Sequence, residues 1–241
     1  MTGQSKKIVP ADRLLYALRD VTATVESIPL ITSSILSKKF AEGSSAFVFD
    51  VKCGSGAFMK SKESAENLAR SLIQTGKKLD REVVAVLTDM SQPLGNMVGN
   101  FLEVEESVMA LKGQGPADLM EVVYRLSSWM LVAGGLDSNR ERAEERCRET
   151  VAKGKAFERF LKNVELQGVD KESLLGGIGK RRAKIQEVIK AETGGLITEL
   201  DAYKIGMAGV YLGAGRNKAS DEVLADVGVE LYKKRGERVE R

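Results

Sequence analysis

Ala46-Phe47-Val48-Phe49-Asp50-Val51 is a short run of apolar, aromatic and β-branched residues that ends at the turn Cys53-Gly54-Ser55-Gly56. It reads as a buried strand. A helical pattern follows over residues 61–78, and Glu82-Val83-Val84-Ala85-Val86-Leu87 reads as the next strand. Strand, helix and strand in that order predict one βαβ unit with parallel strands, because a helical crossover returns the chain in the same direction.

Upstream, Pro10-Ala11-Asp12 opens a helical pattern with Leu14, Leu15 and Leu18 on one side, ending near Arg19 or Asp20. A second helix is expected over residues 27–43, with Ser27 as N-cap and Pro29 in the first turn. Downstream, Ser91-Gln92-Pro93-Leu94-Gly95 leads into helices at residues 103–111, 116–133, 139–152 and 155–166, broken at glycines. The character changes after Glu192. A strand is expected at 196–200, a short helix to about Leu212, then the turn Gly213-Ala214-Gly215-Arg216. The stretch from Lys233 to Arg238 completes no element in this reading. The expected fold is α/β, a partly parallel mixed sheet flanked by helices (residues 1–190), followed by the start of a small α+β C-terminal domain (residues 191–241).

Composition narrows the chemistry. Of 241 residues, 43% are hydrophobic and 29% charged, a globular balance with no run long enough to span a bilayer. The first seven residues lack the apolar stretch of a secretory signal, and Cys53 and Cys147 are a lone, distant pair. A cytoplasmic location with reduced thiols is the expectation. The chain has no histidine, which removes Ser-His-Asp and Cys-His catalysis and His-ligated metals. Its net charge of +3 is spread among interleaved acids and bases, so no nucleic-acid partner is expected. The densest basic run, Lys180-Arg181-Arg182-Ala183-Lys184, lacks aromatic neighbours and reads as a solvated helix face or turn.

Two features carry candidate chemistry. Cys53-Gly54-Ser55-Gly56-Ala57-Phe58-Met59 lies where a dinucleotide fingerprint would lie but has Met59 in place of the third glycine, so a tight strand-to-helix turn competes with a phosphate cradle. Gly213 to Lys218 follows a helix, not a strand, which fits a helix stop better than a P-loop. In the second helix, Ile28, Ile31, Ile35 and Leu36 share one side while Ser34, Ser37 and Lys38 share the other, with Leu30 on the polar side. Ser34 and Lys38 project together at i and i+4. The bland alternative is an amphipathic surface helix with one stray leucine. If the helix pair folds back on itself, Arg19 joins Ser34 and Lys38. A guanidinium, an ammonium and a hydroxyl then suit a flat heterocycle that departs as an anion. The competing account has Arg19 pairing with Asp20 or Glu26 on the surface.

The run from Pro10 to Lys39, with Asp50-Val51-Lys52-Cys53-Gly54-Ser55-Gly56-Ala57-Phe58-Met59, Leu87-Thr88-Asp89-Met90-Ser91-Gln92-Pro93-Leu94-Gly95 and Gly213-Ala214-Gly215-Arg216, closely resembles the thymidine and pyrimidine-nucleoside phosphorylases. That resemblance implies reversible phosphorolysis of thymidine or uridine to free base and (deoxy)ribose 1-phosphate, with phosphate as co-substrate and no required cofactor. It implies that Arg19, Ser34 and Lys38 bind the pyrimidine, with Tyr16 beside them and Arg19 and Lys38 stabilising the departing base. It further implies a potassium ion with Leu94, Met97 and Glu106 among its ligands, and a homodimer. The family's upstream helical lobe, with its phosphate loop, has no counterpart in the 241 residues, so no phosphate-binding residue is expected here. The alternative is a non-catalytic base-binding or assembly module that works with a separate N-terminal lobe.

Overall fold

The structure is a computed structural model that describes residues 9–216, 218 and 220–240, without the side chain of Asp20. The N-terminal segment tested above for a signal, and Asn217 of the glycine turn, lie outside the described residues. In chain order the elements are α1 (Pro10–Val21), α2 (Ile28–Ala41), β1 (Ala46–Cys53), α3 (Lys62–Lys78), β2 (Glu82–Asp89), β3 (Met97–Val98), α4 (Asn100–Leu111), α5 (Ala117–Ala133), α6 (Arg140–Ala152), α7 (Lys155–Leu166), α8 (Lys171–Gly177), β4 (Gly195–Leu196), α9 (Ala202–Leu212), β5 (Val229–Glu230) and β6 (Arg238–Val239). They fall into two compact units, one of Met1–Asp89 with Tyr124–Cys147, the other of Met90–Val123 with Arg148–Arg241.

The first unit contains the predicted βαβ. Strands β1 and β2 run parallel, from Ala46 opposite Glu82 to Cys53 opposite Asp89, each two residues longer than its apolar run suggests. Helix α3 starts in a capping box: the Ser61 hydroxyl accepts the Ser64 amide while the Ser64 hydroxyl accepts the Ser61 amide. One side of α3 (Ala65, Leu68, Ala69, Leu72) packs with Leu36 of α2, Val51 of β1 and Met59 into the core. Ile28, Ile31 and Ile35 line that core as their helical spacing predicts. Ser27 stands at the N-cap of α2 with an extended backbone, yet its side chain makes no capping bond. At the turn after β1, the Gly54 amide donates to the Met59 carbonyl (3.1 Å) and the Ala57 amide to the Gly54 carbonyl (3.0 Å). Those two amides are spent inside the loop, which is the behaviour of a tight strand-to-helix turn.

In the second unit the antiparallel pairs are β3 with β5 and β4 with β6. The fold is mixed α/β, as expected, with parallel and antiparallel strands held in separate two-stranded sheets. Two expectations are corrected. The strand foreseen at 196–200 is only Gly195–Leu196, because Gly236, at φ 89°, turns the partner chain away after the Ile197 amide has reached the Glu237 carbonyl (3.0 Å). The C-terminal stretch does complete an element, since Arg238–Val239 is that partner. Helix α8 escaped the sequence reading although its cap is present: Asp170 accepts the amides of Glu172 (3.2 Å) and Ser173 (3.0 Å). The basic run is non-helical, and two of its residues are committed to partners. Arg182 grips the buried Glu105 at 2.6 and 2.9 Å, while Arg181 pairs with Asp226 and lies 4.8 Å over Phe101.

Candidate functional site

Asp12, Tyr16 and Arg19 stand at i, i+4 and i+7 on α1, so a single helix face carries all three. Asp12 is 8% exposed. Its carboxylate accepts the Lys38 ammonium at 2.9 Å, and that ammonium also donates to the Ser34 hydroxyl at 3.1 Å. Ser34 is buried and Lys38 half-buried, so the polar side of α2 faces α1 rather than water. Burial opposes ionisation of Asp12. Hydrogen bonds from Ser34 and Lys38, and the charges of Lys38 and Arg19, outweigh it and hold the carboxyl below its ordinary value.

Arg19 is 5% exposed and takes a different role from the one its neighbours suggest. Its Nε donates to the Thr24 carbonyl (3.3 Å), one Nη to Leu30 (3.4 Å) and the other to Val25. The guanidinium thus staples residues 22–30 to the end of α1 and lies 5.2 Å over the Tyr16 ring. Ser34 and Lys38 meet directly. Arg19 and Tyr16 meet each other and are coupled to that pair through the charge of Asp12. Asp12 was missed from sequence, where it read only as a helix opener; its spacing from Tyr16 and Arg19 was the available signal.

The three residues expected to bind potassium lie in the second unit. Glu106 of α4 is 9% exposed and reaches back to the loop before β3, where it accepts the Asn96 amide at 2.7 Å. Burial raises its carboxyl above the ordinary value; the Asn96 and Met97 amides pull the other way. Leu94 lies on that loop and Met97 opens β3, both half-buried. Gly95 lets the carboxylate approach: its φ is +70°, and a Cβ there would stand 2.1 Å from Glu106 Oε2. Glu106 forms no ion pair among the described residues. A buried carboxylate held by two amides, in direct ion-pair contact with no described cation and feeling the Lys234 charge only from further off, suits a hard monovalent ion. Glu106, Asn96 and Met97 also line a cavity of about 380 Å³ with Glu105, Gln114 and Tyr232.

Residues 1–157 match the glycosyl transferase family, a/b domain, and residues 196–241 match the pyrimidine nucleoside phosphorylase C-terminal domain. The pyrimidine-nucleoside phosphorylase of Staphylococcus epidermidis (strain ATCC 12228 / FDA PCI 1200) is 47% identical over 240 residues, 99% of this chain and 55% of the relative. Those of Bacillus subtilis (strain 168) and Staphylococcus aureus (strain USA300) are each 45% identical, over 99% and 100% of this chain and 55% of each relative. The chain spans about half the length of the curated relatives it matches. A family model that matches residues 1–157, well over half of the chain, leads to one assignment: this protein belongs to the glycosyl transferase family.

Proposed function

We propose that this chain supplies the base-binding part of a pyrimidine-nucleoside phosphorylase. The reaction is reversible phosphorolysis of thymidine or uridine. A phosphate oxygen forms the bond to the anomeric carbon, the glycosidic C–N bond breaks with its electron pair going to the pyrimidine, and (deoxy)ribose 1-phosphate and free base result. The observation that carries this reading is the Lys38 ammonium, held at 2.9 Å by Asp12 and at 3.1 Å by Ser34 beside the Arg19 and Tyr16 pair. An ammonium fixed by a buried carboxylate is preorganised. It meets charge growing on a pyrimidine carbonyl oxygen without reorientation, which is where electrostatic catalysis gains most. The Ser34 hydroxyl reads the ring nitrogen, and Arg19 adds a second positive charge.

Leu94, Met97 and Glu106 would hold a potassium ion, whose charge would balance the buried carboxylate. No residue of this chain is assigned to phosphate, which enters as co-substrate. A homodimeric, cytoplasmic salvage enzyme is part of the same proposal. Calorimetric titration with thymine and uracil tests it. Binding lost on Lys38→Ala and Ser34→Ala supports the reading, whereas wild-type protein with no affinity for either base at millimolar concentration sinks it.

A further inference from the structure

Residues 91–98 are zipped along their length to the C-terminal segment. Val98 pairs with Val229 and Met97 with Glu230 in β3 and β5, the Leu231 amide donates to the Asn96 carbonyl at 2.7 Å, and the Arg235 amide donates to Gln92 Oε1 at 3.3 Å. Between the last two contacts stands Lys234, whose side chain is 14% exposed. Its ammonium donates to the carbonyls of Pro93 (2.7 Å) and Gly95 (2.8 Å) and to the Asp118 carboxylate. All three of its N–H groups therefore have an oxygen acceptor, two of them loop carbonyls.

We infer that Lys234 is a positioning residue: its ammonium clamps the 93–97 loop so that Leu94, Met97 and Glu106 are presented together to a cation. The inference rests on the reading of those three residues as cation ligands. The clamp is built for the task in three respects. The gripped carbonyls flank Leu94, so the residue between them has little freedom. Asp118 neutralises the ammonium, so the pair adds no net charge beside Glu106. Gly95 also donates its amide to Asp118 (3.3 Å), which ties the loop to the same carboxylate that holds Lys234. An ammonium is close to potassium in size and in its preference for oxygen, so one loop would be held by a tethered cation and read by a free one. The C-terminal domain, residues 196–241, would on this account act on the cation site from its own Lys234.

The test uses the 241-residue chain with two readouts, amide hydrogen exchange over residues 91–98 and thermal stabilisation by KCl relative to equal NaCl and choline chloride. Wild type is expected to show slow exchange at Asn96 and a potassium-specific rise in midpoint. Lys234→Met should speed exchange at Asn96 by roughly tenfold or more and abolish the potassium shift. Lys234→Arg, which keeps the charge, should recover part of both. Glu106→Gln should lose the potassium shift while keeping slow exchange, because an amide oxygen still accepts from Asn96. If Lys234→Met fails to fold, Asp118→Asn carries the exchange readout, since Asn96 does not contact Asp118. Unchanged exchange in the variant, or a potassium shift that survives Lys234→Met, overturns the inference. No potassium shift in wild type with a loosened loop in Lys234→Met overturns it through the cation reading, leaving only a structural clamp.

Discussion

Asp12 contributes no hydrogen-bond donor in its charged state, yet it sets the behaviour of the groups around it. Its carboxylate orients the Lys38 ammonium and keeps the Ser34 hydroxyl engaged, so Asp12→Asn leaves every side chain present but removes the charge that aligns them. Base affinity should fall roughly tenfold, the ~1.4 kcal/mol of one charge-assisted contact, measurable by calorimetry. The sign of the pH effect follows from the direction of the shift. Asp12 titrates below its ordinary value when folded, so its stabilising contribution is complete above the ordinary carboxyl range and is lost as pH falls through the lower, folded value. Urea midpoints from pH 6 down to pH 3 should drop more steeply for wild type than for Asp12→Asn. Parallel curves would count against the ion pair. Asp137 repeats the logic at the α5–α6 turn, where hydrogen bonds from Arg142 and Arg146 hold its carboxyl well below the carboxylate range.

At the scale of elements, α3 against β2 shows how packing reverses a local preference. Gly76 lies within α3, where alanine ordinarily gains about 1 kcal/mol over glycine. A Cβ at that position would stand 2.2 Å from Val83 Cγ2, and valine is stiff about χ1. Gly76→Ala should therefore destabilise by roughly 1–3 kcal/mol, and Val83→Ala in the same chain should recover part of the loss. A stabilising Gly76→Ala in thermal denaturation would refute that packing. The turn 178–182, exposed over most of its length, gives a second case through the buried carboxylate it covers. Glu105 is 7% exposed and is satisfied by Arg182 and the Gly179 amide (2.8 Å), so Arg182→Ala strands a buried carboxylate. The expected cost is about 3 kcal/mol, and Arg182→Lys should repair little, because an ammonium lacks the two-pronged geometry. Equal urea midpoints for wild type and Arg182→Ala would disprove it.

For the whole molecule, the proposed reaction sets a demanding comparison. Positioning two reactants together contributes on the order of 7 kcal/mol or more to such a displacement, about five powers of ten in rate. With no residue here assigned to phosphate, the 241-residue chain mixed with thymidine, uridine and phosphate is expected to bind the pyrimidine but to form free base at least that much more slowly than the longer relatives. Free base followed by chromatography checks this, and turnover near the relatives' rate would require a phosphate site within these residues. Among the described residues no helix is long and apolar enough to cross a membrane. Helix α1 does leave Leu14, Leu15, Leu18 and Val21 exposed, an apolar stripe that its own unit does not cover.

Periodicity and glycine placement in the chain were enough to determine the βαβ, the helix pair and the four central helices, because a period of two or of 3.6 is a local property. The family resemblance, too, was carried by runs of neighbouring residues. What only the tertiary structure decided were the partnerships between distant positions. Asp12 finds Lys38 across 26 positions, Arg182 finds Glu105 across 77 and Lys234 finds Asp118 across 116. The two-residue strands belong to the same class: Met97–Val98 and Arg238–Val239 are too short to show a period, and only pairing with a remote segment makes them strands. A single side chain or a dipeptide has no pattern of its own, so its role depends on what folding brings beside it.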